Sequence, residues 1–190
     1  MPDNKKMVEI RHFKMSFGDK TVIKDLSFDV FRGEVFGFLG SNGSGKTTTL
    51  RALLGLSQPT AGDLLINGKP YSVESQIRLG YLPEERGLYK KEKVLDVMLY
   101  FGQLKGLSRK EAKDFSMKFL ERVNLSDKAN TQLDKLSGGQ QQKIQLGVTI
   151  MGDPELLIMD EPAKGFDPVN RRLLMNIIEE QRKAGATIIY

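Results

Sequence analysis

Residues 34–56 read EVFGFLGSNGSGKTTTLRALLGL, and this stretch decides the fold. Glu34 to Leu39 reads as a buried apolar strand. It breaks at Gly40-Ser41-Asn42-Gly43-Ser44-Gly45, and Lys46-Thr47-Thr48 then opens a helix-like segment. Gly40 to Thr47 satisfies GxxxxGK[ST], and the setting between a strand and a helix separates a phosphate loop from a chance match. Glycines let the main chain close around a phosphate, so the amides from Gly43 through Thr48 can point inward while the helix presents its positive end. Lys46 suits the β- and γ-phosphates of a nucleoside triphosphate, and the Thr47 hydroxyl suits Mg²⁺. A plain glycine-rich turn with an exposed lysine would need neither the full octapeptide nor its flanking elements.

A second apolar run, Glu155 to Asp160, ends in the adjacent acids Asp160 and Glu161. Neighbouring residues at a strand end point in different directions. Asp160 can therefore serve the hydration shell of Mg²⁺ while Glu161 addresses the water that attacks the γ-phosphate, as general base or as water-positioner. Without the glycine loop this would read as an ordinary polar strand end.

Outward from these two segments the pattern is α/β. Val8–Met15 and Val22–Val30 alternate as half-exposed antiparallel strands, with Leu26, Phe28 and Val30 on one face. Asp63–Ile66 and Leu79–Leu82 are short strands, and Asn67-Gly68 is a hairpin-type turn. From about Glu85 to Met151 helical spacing takes over, with a capping box at Ser108 and Glu111. Asp167 and Pro168 mark another helix start, and ATIIY a final strand. The expected organisation is a mostly parallel sheet flanked by helices, with an N-terminal antiparallel β part and an inserted helical part: residues 1–84 and 152–190 as nucleotide-binding core, 85–151 as the insert.

The 190 residues suit one domain, and with 39% hydrophobic content they can bury a core. The chain has no cysteine, which excludes thiolate metal sites and disulfides and agrees with a reducing cytoplasm. No apolar run approaches the ~18 residues of a membrane span. The net charge of +5 is dispersed; Lys90, Lys91 and Lys93 form a short solvated cluster and no nucleic-acid stripe.

Phosphate loops with acid-ended strands occur in several NTPase classes, and Leu136-Ser137-Gly138-Gly139-Gln140 separates them. Ser137 is a good N-cap, and the amides of Gly138 and Gly139 lie at the positive end of the following helix, a second anion site. LSGGQ, continued as QQKIQLGVTI and placed shortly before ELLIMDEP, resembles the signature of ABC transporter ATP-binding subunits. The likeness runs from end to end of the chain. It implies MgATP bound between two copies, or a copy and a homologous subunit, arranged head to tail, each signature completing the other's site. It also implies an integral membrane permease that binds the transported substrate, and a peripheral place on the cytoplasmic face of the plasma membrane.

By the same resemblance Phe17 matches the aromatic that stacks on adenine, and Asp167, in Gly165-Phe166-Asp167-Pro168, the acid that acts across the dimer. Glu84 falls where most members carry a glutamine that senses Mg²⁺ and the attacking water. Glutamate there resembles the ABC-2-type exporter ATPases of the sodium-extrusion and drug-resistance kind. Ala163 and Lys164 replace small hydroxyl residues common after Glu-Pro. Members continue past ATIIY into a turn with a histidine that contacts the γ-phosphate. This chain ends at Tyr190, so it is expected to be shortened, to bind MgATP and to hydrolyse it poorly. His12, the one histidine, reads as a surface strand residue. The rival reading is an ABC ATPase that clamps ribosomes or DNA. Such proteins usually carry two cassettes or long heptad coils, and neither is present in these residues.

Overall fold

The computed structural model describes residues 5–72, 74–85 and 87–190. Two sheets are built. One is antiparallel, with β1 (Lys6–Phe17) between β2 (Lys20–Phe31) and β4 (Ala61–Ile66). The other is four-stranded and parallel, in the order β3 (Val35–Phe36), β7 (Thr187–Ile189), β6 (Leu156–Met159), β5 (Leu79–Leu82). Asn67 and Gly68, both at positive φ, turn the chain after β4, and Ile66 bridges to Lys69.

The residues of β6 show why the parallel sheet is central. All four are buried, and they alternate between two cores. Leu156 and Ile158 join Phe13 and Met15 of β1 and Leu50 and Leu53 of helix α1 (Lys46–Leu53). Leu157 and Met159 join the other cluster, on the side of α2 (Val94–Leu104), α3 (Arg109–Arg122), α4 (Gly138–Ile150) and α5 (Pro168–Lys183). There they meet Met98, Phe119, Ile144, Leu174 and Ile177. A strand apolar on both faces requires cover on both faces, and its uninterrupted Leu-Leu-Ile-Met meets that need.

The starts of α3, α4 and α5 carry side-chain caps. The Glu111 amide donates to Ser108 Oγ at 3.2 Å and the Ser108 amide to Glu111 Oε2 at 2.8 Å, a complete capping box for α3. Asp167 Oδ1 accepts from the Asn170 amide at 2.8 Å and Pro168 occupies the first turn of α5. Gly147 of α4 faces Phe119 of α3 so closely that a Cβ there would lie 2.5 Å from the ring.

The structure corrects the strand expected over 34–39. Only Val35 and Phe36 are laddered, on β7 at the sheet edge, and Leu39 is 88% exposed. Beyond Phe36 the chain leaves the ladder toward the glycine loop, keeping one further bond from the Phe38 amide to the Tyr190 carbonyl at 2.6 Å. His12 is exposed in a bulge of β1, at positive φ, with Nδ1 3.3 Å from Asp25.

Candidate functional site

An open cleft of about 980 Å³ lies over the start of α1, walled by Asn42, Gly43 and Gly45 to Thr48, by Lys20 to Val22 at the head of β2, and by Glu84, Glu161, Ala163, Lys164 and Arg171. Its floor is set by glycine. Gly45, the residue before α1, holds φ +94° with its Cα against Ile23, so that a Cβ would stand 2.9 Å from Ile23 Cγ1. The Thr49 hydroxyl donates to the Gly45 carbonyl at 2.9 Å and fixes the first turn from below.

Lys46 folds back over the loop. Its ammonium donates to the Gly40 carbonyl at 2.8 Å and the Ser41 carbonyl at 3.3 Å, and lies 3.4 Å from Glu161 Oε1. The glycine loop and the end of β6, over a hundred residues apart in sequence, thus meet side chain to side chain. Glu161 stands at φ +51°, a left-handed conformation uncommon for a residue with a side chain.

Its neighbour Asp160 turns inward and is only 2% exposed. Burial pushes its carboxyl above the ordinary aspartate range; a hydrogen bond with Thr47 opposes this, and the nearby charges of Glu84 and Glu161 add to it. Asp160 Oδ2 is buried with no hydrogen-bond partner among the described residues. An open carboxylate oxygen beside a threonine hydroxyl is a donor set for a hard divalent cation that keeps most of its water, so Thr47 and Asp160 fit Mg²⁺. Among the described residues no cluster of three His, Cys, Asp or Glu side chains forms a metal cage.

Glu84, also expected at the metal, is held by the ammonium of Lys164, whose hydrogen bond and charge draw its carboxyl below the usual range. Sequence reading placed both residues separately as departures from a family pattern and did not pair them. It also passed over Lys20, Thr21, Val22 and Arg171 as cleft-lining residues, for which no motif gives a signal.

The remaining expected residues lie outside the cleft wall. Phe17 is 56% exposed at the end of β1, short of the wall that begins at Lys20. Ser137 caps α4: its hydroxyl accepts from the Gln140 amide at 3.3 Å, and Gln140 Oε1 accepts from the Ser137 amide at 2.9 Å. Ser137, Gly138, Gly139 and Gln140 do not line the cleft of their own chain, and Asp167 is occupied with the cap of α5.

Residues 23–164 match the family described as ABC transporter. An uncharacterized ABC transporter ATP-binding protein of Methanocaldococcus jannaschii is 43% identical over 185 residues, covering 97% of this chain and 67% of that protein. The Nod factor export ATP-binding protein I of Cupriavidus pinatubonensis is 37% identical, covering 96% and 57%. A solved structure of an ATP-binding subunit of an ABC transporter superposes with TM-score 0.84 at 28% identity, covering 96% of this chain and 78% of that one. The chain spans about three fifths to two thirds of the length of these curated relatives. The glycine loop, the paired acids at the end of β6 and these likenesses agree: the chain belongs to the ABC transporter ATP-binding family.

Proposed function

We propose that this chain binds MgATP in the cleft over α1 and hydrolyses it to drive a separate membrane permease, in the direction of export. The observation that carries the reading is the meeting of Lys46 with Glu161 at 3.4 Å, beside the half-buried Thr47 and the buried Asp160. In it, the amides from Gly43 to Thr48, with the loop residues Gly40 to Asn42, cradle the phosphates, and Lys46 leaves Glu161 for the β- and γ-phosphates. Thr47 and Asp160, with Glu84 nearby, would hold the hydrated cation, which would supply charge neutralisation to the phosphates. Glu161, released, accepts the proton of the attacking water or orients it as the bond to the γ-phosphorus forms and the bond to the ADP oxygen breaks.

The capped start of α4 lies outside its own cleft, and this supports a head-to-tail dimer in which Ser137, Gly138, Gly139 and Gln140 close a second copy's site, with Asp167 at the same seam. Phe17 stands at the cleft margin for the adenine. No helix of the described residues is long and apolar enough to cross a membrane. In this reading the permease is another polypeptide or segment, and the chain works peripherally on the cytoplasmic face. Export follows the relative named for Nod factor export and the glutamate at position 84. The permease would also bind the transported substrate.

The test is ATP titration and turnover. Lys46→Ala should abolish nucleotide binding by calorimetry. Glu161→Gln should keep binding and lower turnover by about 10²- to 10⁴-fold. Unchanged turnover removes Glu161 from the chemistry, and recovery with ribosomes or DNA in place of a membrane protein refutes the transport assignment.

A further inference from the structure

Two ion pairs line the cleft. Lys46 meets Glu161 at 3.4 Å, and Lys164 meets Glu84 through a hydrogen-bonded contact between residues eighty positions apart. The two pairs form one electrostatic group: Lys164 also feels Glu161 and Asp160, and Glu84 also feels Lys46. The wall carries two further cations, Lys20 at the head of β2 and Arg171, the latter tethered to the Phe166 carbonyl at 3.1 Å through Nε. Lys164 has no such main-chain tether among the described residues, and its side chain is 64% exposed on a flexible four-carbon stem.

An anion entering this group competes with carboxylates for lysines. A triphosphate that takes Lys46 from Glu161 brings its terminal oxygens to the same wall, where Lys164 is held by a single carboxylate. We infer that Lys164 is a second phosphate-binding cation of this cleft, restrained by Glu84 and transferred to the terminal phosphate of a bound nucleoside triphosphate. The inference rests on the ATP-binding reading above and adds to it a residue that discriminates triphosphate from diphosphate. A diphosphate ends one group short, so it leaves the Lys164–Glu84 pair closed. Exchange on triphosphate binding frees Glu84 in the same event, which couples its release to the presence of the γ-phosphate.

The experiment is calorimetric titration of the full chain with ATP and with ADP in EDTA, so that divalent cation bridging plays no part. Lys164→Met is expected to weaken ATP binding by about tenfold, the equivalent of one charge-assisted hydrogen bond, and ADP binding by less than about twofold. Lys164→Arg should keep the preference for ATP. Glu84→Gln should strengthen ATP binding by about threefold or more alone, by removing the competitor, and have no such effect in the Lys164→Met background. An unchanged ATP-to-ADP affinity ratio in Lys164→Met, or an equal Glu84→Gln effect in both backgrounds, overturns the inference while Lys46→Ala still abolishes binding. Loss of ATP binding by the unaltered chain, or its retention in Lys46→Ala, overturns the cleft assignment itself.

Discussion

Lys105 meets Thr149 at the C-terminal end of α4: from the residue after α2 its ammonium donates to the Thr149 carbonyl at 2.7 Å, and to those of Val148 at 2.7 Å and Met151 at 3.0 Å. These are last-turn carbonyls that α4 cannot satisfy internally, and a cation is the complement of their dipole. Lys105→Met keeps the packed stem and strips all three. Unfolding in urea should show a loss of about 2 kcal/mol. Burial pushes Lys105 down to about 8 from 10.5 in the unfolded chain. Between those values the unfolded chain binds more protons, so the lysine's contribution rises with pH; the gap between the unaltered chain and Lys105→Met should widen from pH 8 to pH 10.

Asp160 is a carboxylate kept at a cost. Replacement by Asn leaves the shape and removes the desolvated charge. In the absence of nucleotide, Asp160→Asn is expected to melt higher, by about 1 kcal/mol, and the enhancement of ATP affinity by Mg²⁺ should vanish. Scanning calorimetry with and without Mg²⁺ and ATP reads both.

Ser137→Ala removes half of the capping box on α4. The loss in stability should be about 1 kcal/mol. Turnover should fall by more than the small drop in folded population explains, and titration of ATP into the isolated copy should be unchanged, since this residue does not line its own cleft. Equal effects on binding and turnover would place the cap outside the reaction.

Gly147→Ala drives a methyl into the Phe119 ring. The expected cost is about 1–3 kcal/mol in urea unfolding, with ATP affinity at the cleft preserved.

Much of this was legible because the informative contacts are local. The glycine loop, the capping box at Ser108, the N-cap at Ser137 and the Asp167–Pro168 start each involve residues within a few positions, and side-chain chemistry alone specifies them. The expected strand at 34–39 was shorter than its apolar letters because Phe38 and Leu39 lie at an edge where β7 pairs only Val35 and Phe36. Lys105 was invisible for another reason: its acceptors are main-chain carbonyls some forty residues away, and carbonyls have no letter in a sequence. The Lys164–Glu84 pair needed β5 and the end of β6 to be neighbours, which only the parallel register supplies.

The alternation of β6 between two cores has a consequence for dissecting the protein. Leu157 and Met159 are as much interior to the helical insert as to the sheet, so excising residues 85–151 would bare a wet, greasy scar on both pieces. Neither fragment should then fold as a free-standing module. The chain should melt in one step, and a blow struck at Phe119 or Ile144 should lower the melting of both cores together.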